Sequence, residues 1–296
     1  MTPTETDLAT LWAERPFFLV YLGLLIVAAL GGFALGLNRF RPTGARPWPG
    51  VSAWRIKPTD FGLFLCALVL WFTLSSLVVF QVAEAWLGPD RAREHVGVAI
   101  VAGGLLQVGL ATIFLLTRQS TRTPAERRLD LCALSLPRAG GLGLLGWLTA
   151  LPPVYGVMAA WMGLLLFFQA LGLPISLEDQ AAVQVFRAID AWPWFLAMIA
   201  LAVVVAPIAE ELVFRAGLYR YLRGAVGRTA AVVLSSMAFG LIHFSLVGFP
   251  SLMLVGVACC LVYEATGNLK VPIFLHAAFN GNQVILMVLS GLVELP

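Results

Sequence analysis

Eight apolar runs, most of about 20 residues, constrain this chain more than any other feature of its sequence. A run of that length crosses the ~30 Å hydrocarbon core of a bilayer when it is helical, and lipid offers no partner to the backbone groups of an open, non-helical segment. The composition agrees, because only 12% of the residues are charged, against roughly 25% in soluble domains. We therefore expect an all-α fold, a polytopic membrane helix bundle with about eight transmembrane helices. The runs lie near 16–37, 61–86, 96–117, 141–170, 192–212, 229–246, 250–266 and 271–293.

The runs divide the chain into two parts of different character. Residues 1–140 hold about three clean spans with basic loops that we expect to be cytoplasmic, whereas residues 141–296 hold spans interrupted by polar and ionisable groups. Within the second part, the apolar stripe of residues 176–190 is typical of a helix lying on the outer surface. We expect the chemistry to concentrate in residues 141–296 and the first part to frame it.

The basic residues predict the orientation of the chain, because Lys and Arg accumulate in cytoplasmic loops. They cluster at 38–60, at 118–138 and after the fifth run, and eight spans place all three clusters on one side. Both termini are then expected outside the cytoplasm, and we expect an integral protein of a bacterial inner membrane. The net charge of +3 is spread over separated loops, which argues against nucleic acid as a partner. The cluster after the fifth run consists of Arg215, Arg220, Arg223 and Arg228.

Three short polar patterns interrupt the apolar runs of the second part. They read Glu210-Glu211-Leu-Val-Phe-Arg215, Phe239-Gly-Leu-Ile-His243 and His276-Ala-Ala-Phe-Asn280. Ionisable groups inside a membrane are costly and usually functional. A carboxylate pair, two histidines and an asparagine provide the proton transfer and the oxyanion stabilisation that hydrolysis of an amide bond requires. Together the three patterns indicate an intramembrane hydrolase.

Helical spacing separates the roles of the two glutamates. Glu211 meets Arg215 at i, i+4 in the favourable acid-first order, so we expect these two side chains to pair. Glu210 shares a face with Phe214 and lacks a basic neighbour, which makes it the candidate general base. The alternative is that both acids cap the inner end of the fifth span at the water interface.

The two histidine patterns are weak when each is taken alone. A lone helical histidine such as His243, one turn after Phe239, is more often a core residue than a catalyst. His276 and Asn280 share one helix face and could direct two donors at a single point, as in an oxyanion site. The alternative is that both residues hold neighbouring helices together by hydrogen bonds. Their occurrence beside the acidic pair favours the catalytic interpretation.

Read as EExxxR, FxxxH and HxxxN in this order, the three patterns resemble the CPBP intramembrane protease family, which includes CAAX prenyl endopeptidases and bacteriocin-processing proteins. The preceding Ala206-Pro207-Ile-Ala also resembles the family, whereas Ala216 stands where a glycine is common. The resemblance covers about residues 190–290. It implies an intramembrane endopeptidase that works in the lipid bilayer on a membrane-anchored or lipidated protein or peptide.

The resemblance also implies a role for each residue of the patterns. Glu210 and His243 would activate a water molecule that attacks the scissile carbonyl. His276 and Asn280 would then stabilise the oxyanion. The supporting residues that keep the first helix in shape would be Glu211, Arg215 and Phe239.

A metal-dependent mechanism could use the same side chains. One glutamate and two histidines, here Glu210, His243 and His276, can hold zinc or another divalent metal with an open position for water. The sequence has no HExxH helix, and we expect a mechanism without a metal cofactor.

Two other classes of function remain compatible with the sequence. The first is a non-catalytic membrane immunity or maturation factor that keeps the fold and binds a partner. The second is a proton-coupled transporter, because buried Glu and His residues also mark proton relays. A proton relay does not explain a His276 and Asn280 pair on one helix face, and the two halves of the sequence show no evident inverted repeat.

Overall fold

The computed structural model describes residues 15–44, 47–119, 130–131, 134–178, 180–293 and 295, with only the backbone of residues 93 and 94. These residues form helices joined by turns and short irregular segments, as the apolar runs predict. The helices are α1 (Pro16–Phe40), α2 (Pro58–Leu87), α3 (Pro89–Glu94), α4 (Val96–Gln119), α5 (Leu136–Ala170), α6 (Ala181–Arg187), α7 (Trp192–Val226), α8 (Arg228–Leu241), α9 (Phe249–Thr266) and α10 (Lys270–Leu289).

Seven of the helices described are long and apolar enough to cross a membrane: α1, α2, α4, α5, α7, α9 and α10. The all-α membrane bundle is therefore confirmed, and the predicted eighth span is the shorter helix α8, with 14 residues. The run near 229–246 ends early as a helix because the chain turns before α9. Phe244 adopts a left-handed φ of 48°, and Pro250 stands in the first turn of α9, where proline is well tolerated.

The fifth span is longer than its sequence suggests. The prediction that the basic residues after it lie in a loop was therefore wrong for those that α7 includes. Helix α7 continues to Val226, so Arg215 and Arg220 lie within it, each 1% exposed. Both arginines have partners that make burial possible: Arg215 pairs with Glu211 at 3.0 Å, and the Arg220 guanidinium donates to the Ser52 backbone carbonyl at 2.7 Å. Buried charges need such partners. The orientation stays a prediction, now without support from these two residues.

Parts of the sequence prediction fall outside the described residues. Arg122, Arg127 and Arg128 of the basic loop at 118–138 are not among the residues that the structure describes. The helix predicted within 176–190 is present as the seven-residue α6. Phe186 in this helix and Ile189 after it are buried, and Asp179 of the segment is not described.

The irregular segment before α2 packs against the C-terminal part of α7, around Arg220. Trp54 is 2% exposed, its backbone N–H donates to the Arg220 carbonyl at 3.1 Å, and its ring contacts the rings of Phe64 and Phe114 at centroid distances of 5.4 and 5.5 Å. Aromatic contacts of this edge-on kind add to the burial of apolar area. The segment therefore joins α2 and α4 to the helix that carries the acidic pair. The division of the chain at residue 140 stays a prediction.

Helices α8 and α9 approach closely at a glycine. A side chain carbon added at Gly256 would lie 3.0 Å from both Cα and Cβ of Ser236. The same approach exposes the Gly256 carbonyl to Arg215, whose Nη2 donates to it at 3.2 Å. Small residues permit this kind of close helix contact in membranes.

Replacement of this glycine tests the close approach. We expect Gly256→Ala to lower the midpoint of thermal unfolding in detergent, because α8 and α9 must separate and the carbonyl must move away from Arg215. Gly163→Ala on α5 is the matched control, since a side chain there would meet nothing within 4 Å, and alanine favours a helix by up to about 1 kcal/mol. Equal or higher thermal stability of Gly256→Ala would contradict the packing described.

Candidate active site

Helix α7 changes its hydrogen-bond register on both sides of the acidic pair. Leu201–Val205 and Leu212–Tyr219 are π-helical turns, and the α-helical Ala206–Glu211 lies between them. Proline inside an α-helix removes one donor and clashes with the carbonyl four residues earlier. Pro207 is the second residue after the first π turn, whose wider register accommodates the ring. Such π turns occur frequently at functional sites.

Glu211 is the centre of a buried charge cluster. Its Oε1 lies 3.0 Å from Nη1 of Arg215 and 3.0 Å from Nδ1 of His276. None of the three side chains is more than about 4% exposed, so each charge is compensated inside the protein rather than by water. The expected i, i+4 pair is present, and Glu211 in addition connects α7 to α10. A role limited to the shape of its own helix was too narrow an expectation.

Glu210 has different partners from its neighbour. Its Oε1 accepts a hydrogen bond from Nε2 of Gln107 on α4 at 2.9 Å, and its Oε2 lies 3.8 Å from Nε2 of His276. The carboxylate is 8% exposed. The alternative in which both acids cap a span at the water interface does not fit these contacts. The imidazole of His276 thus lies between two carboxylates, with one ring nitrogen towards each.

Phe239 joins the three sequence patterns through its ring. Its side chain is fully buried, and its ring centroid lies 4.9 Å from that of His243, 5.4 Å from that of His276 and 5.3 Å from that of Phe214. The guanidinium carbon of Arg215 lies 4.6 Å from the same centroid, in the range of a cation–π contact. A single aromatic ring therefore contacts residues of all three patterns.

His243 lies in the turn after α8, half-buried, rather than on a helix as the sequence suggested. Its Nδ1 lies 2.7 Å from the backbone carbonyl of Phe239. A carbonyl can only accept, so Nδ1 carries the proton of this hydrogen bond. In the neutral ring, Nε2 is then the unprotonated nitrogen and an acceptor. This tautomer of His243 leaves Nε2 able to accept a hydrogen bond or a proton from a water molecule.

Asn280 does not share a partner with His276. Its Nδ2 donates to the backbone carbonyl of Ala202 at 2.8 Å, in the first π turn of α7. The backbone explains this contact: the N–H of Ala206 donates to Leu201, and the next residue, Pro207, has no N–H. The Ala202 carbonyl therefore has no backbone donor at position 207, and it accepts a hydrogen bond from the side-chain amide of Asn280 instead.

Glu210, His243 and His276 are the candidate ligands of a metal ion. In the part of the chain that the structure describes, no group of three His, Cys, Asp or Glu side chains is arranged to hold a metal ion. Oε2 of Glu210 and Nε2 of His276 lie 3.8 Å apart, and Nδ1 of His276 contacts Glu211. A carboxylate on the second ring nitrogen is compatible with a ligating or a non-ligating histidine, so the mechanism without a metal stays a prediction.

Two contributors to the site were missed by sequence reasoning. Gln107 is the one residue with a side-chain amide in the apolar run 96–117, which is a signal that could have been used. Gly256 accepts a hydrogen bond from Arg215 through its carbonyl, and no sequence pattern indicated it.

Comparison with known proteins finds a similarity in the same part of the chain. A family model described as "Type II CAAX prenyl endopeptidase Rce1-like" matches residues 192–281, which contain all three patterns and both π turns. The match supports the similarity of residues 192–281 to the CPBP intramembrane protease family, and we call these residues the CPBP region. The CPBP region is thus the part of the bundle that carries the buried charge cluster.

A curated relative supports the same assignment. The Bacillus subtilis (strain 168) protein described as "Putative membrane peptidase YdiL" is 30% identical over 111 residues, which are 38% of this chain and 43% of that protein. The chain therefore matches less than half the length of this relative. No solved structure matches the chain.

Removal of Arg215 tests the buried ion pair. Arg215→Met should lower the free energy of unfolding by about 3–5 kcal/mol, because it leaves the Glu211 carboxylate buried without its cation. The double variant Glu211→Leu/Arg215→Met removes both charges and should recover a large part of that loss in chemical unfolding measured in detergent. A double variant no more stable than Arg215→Met would show that the pair is not what stabilises this region.

A second thermodynamic cycle tests the partner of Asn280. Asn280→Ala should lower the free energy of unfolding by about 1 kcal/mol, because the Ala202 carbonyl loses its donor. Pro207→Ala supplies a backbone N–H at the neighbouring position, so the same Asn280 substitution should cost less in that background. An identical cost in both backgrounds, measured by chemical unfolding, would contradict the link between the proline and the asparagine.

Proposed function

We propose that this protein is an intramembrane endopeptidase that hydrolyses a peptide bond of a membrane-anchored or lipidated protein or peptide. The observation that carries the proposal is the His276 imidazole placed between Glu210 and Glu211, inside membrane-spanning helices of a CPBP region. Ionisable groups at such a position mark a site of chemistry. An integral membrane location is supported by the apolar helices and by the family.

In the proposed mechanism, Glu210 is the general base. One of its oxygens is held by Gln107, and the other, Oε2, accepts the proton of the attacking water. Nε2 of His243 accepts a second hydrogen bond from that water and so orients it. The water oxygen bonds to the carbonyl carbon, and the proton on Glu210 passes to the leaving nitrogen as the carbon–nitrogen bond breaks.

His276 and Asn280 are proposed to stabilise the oxyanion that forms on the carbonyl oxygen. Nδ1 of His276 donates to Glu211, so a second donor from this ring requires the doubly protonated imidazolium, with Nε2–H towards the oxyanion. The Asn280 amide has one N–H on Ala202 and a second N–H for the same purpose. Preorganised donors of this kind are commonly worth about 3–4 kcal/mol of transition-state stabilisation each.

The proposed supporting residues act through these groups. Glu211 sets the orientation of the His276 ring, Arg215 balances the charge of Glu211, and Phe239 packs against both histidine rings. No step of the mechanism is assigned to a metal. We place the protein in a bacterial inner membrane with both termini outside the cytoplasm. The basic loop at 38–60 supports this orientation, which requires the 14-residue α8 to count as an eighth crossing beside the seven long helices.

Cleavage by purified protein in liposomes tests the proposal. We expect the wild type to cut one or more members of a panel of membrane-anchored peptides, with prenylated and unmodified members. Glu210→Ala should lower kcat by about 100-fold or more, the usual share of a general base. Glu178→Ala is the matched control, because this acid is exposed in the segment before α6 and its loss should leave kcat unchanged.

The outcomes separate the classes of function. Cleavage that persists in the presence of a chelator and disappears in Glu210→Ala agrees with the proposed mechanism. Loss of cleavage with chelator, and its return with added divalent metal, would replace it by the metal-dependent one. A folded wild type that cuts no peptide of the panel would favour the non-catalytic immunity or maturation factor instead.

A further inference from the structure

Gln107 is a polar side chain in a mostly apolar helix, α4. It lies in the middle of α4, in the apolar run 96–117 and outside the CPBP region at 192–281. A primary amide within a membrane helix needs hydrogen-bond partners from other helices. Gln107 finds one on α7, where its Nε2 donates to Oε1 of Glu210 at 2.9 Å.

The chemistry of this contact fixes the orientation of both groups. An ionised carboxylate only accepts hydrogen bonds, so the amide nitrogen of Gln107, and not its oxygen, must face Glu210. A hydrogen bond to a charged acceptor is stronger than one between neutral groups. The contact therefore restrains the rotation of the Glu210 carboxylate, which is only 8% exposed.

The restraint decides which carboxylate oxygen is left for proton transfer. With Oε1 held by Gln107, Oε2 is the oxygen that lies 3.8 Å from Nε2 of His276. Among the described residues, no side chain or backbone group makes a hydrogen bond to this second oxygen. It is the part of Glu210 that can take a proton from water without first breaking a bond to the protein.

We propose that Gln107 is a positioning residue of the peptidase, which holds Glu210 so that Oε2 serves as the base. This inference rests on the proposed function, since it assigns a role in the same reaction. It makes α4, from the N-terminal part of the chain, a component of the active site and not only a frame around it.

The substitution Gln107→Met tests the proposal, because methionine keeps the length and much of the volume of the side chain and removes the donor. We expect kcat to fall by about 10- to 100-fold, the scale of a small misplacement of a reacting group. KM should stay within about twofold, because no contact with substrate is assigned to this residue. Val108→Ala on the same helix is the matched control, since Val108 is 58% exposed.

A second arm shows whether Gln107 acts through Glu210. In the Glu210→Ala background, Gln107→Met should cause no further loss of the residual rate, because the group that it positions is absent. A residue that only stabilised the packing of α4 would lower the rate by the same factor in both backgrounds. If Gln107→Met does not yield folded protein, Gln107→Asn replaces it, since this amide is one methylene too short for the contact and should show the same loss in kcat.

The failure of this inference is distinguishable from failure of the proposed function. A wild type that cleaves, an inactive Glu210→Ala and a Gln107→Met with wild-type kcat would overturn the role of Gln107 alone. A higher KM with unchanged kcat would overturn it as well, in favour of substrate binding. A folded wild type that cuts nothing would overturn the peptidase proposal and this inference with it.

Discussion

The buried ion pair between Glu211 and Arg215 is the interaction on which the arrangement of the site depends. Two opposite charges that are away from water need each other and further hydrogen bonds to be tolerated. Arg215 obtains one from the Gly256 carbonyl on α9, and Glu211 obtains one from His276 on α10. The pair therefore determines which faces of three helices meet, and the same contact sets the direction of the proposed catalytic histidine.

Proline has a comparable effect on the backbone. Pro207 cannot donate to the preceding turn, and α7 responds with a π register that leaves the Ala202 carbonyl for Asn280. A restriction on one residue thus links Ala202 on α7 to Asn280 on α10, 78 residues further along the chain. The Asn280 amide can then donate two hydrogen bonds at once, one to the backbone of α7 and one to the proposed oxyanion.

Much of this site could be predicted from the sequence because its determinants are local. The apolar runs give the helices, and the i, i+4 spacing gives the Glu211–Arg215 pair. The extent of α7 could not be predicted, since an arginine after an apolar run usually marks a loop and becomes helical and buried only when its partners on other helices are known. The partners of Gln107 and Asn280 were inaccessible for the same reason, because they depend on tertiary contacts and on a π register that no local pattern specifies.

We propose that peptide hydrolysis occurs at this buried cluster, and an experimental structure of the Glu210→Gln variant with an uncut membrane-anchored peptide is the most direct test. We predict that the scissile carbonyl oxygen lies within hydrogen-bond distance of His276 and Asn280, and that the residue at 210 lies beside the carbonyl carbon. A peptide bound elsewhere on the bundle, with this cluster closed to it, would contradict hydrolysis at this site.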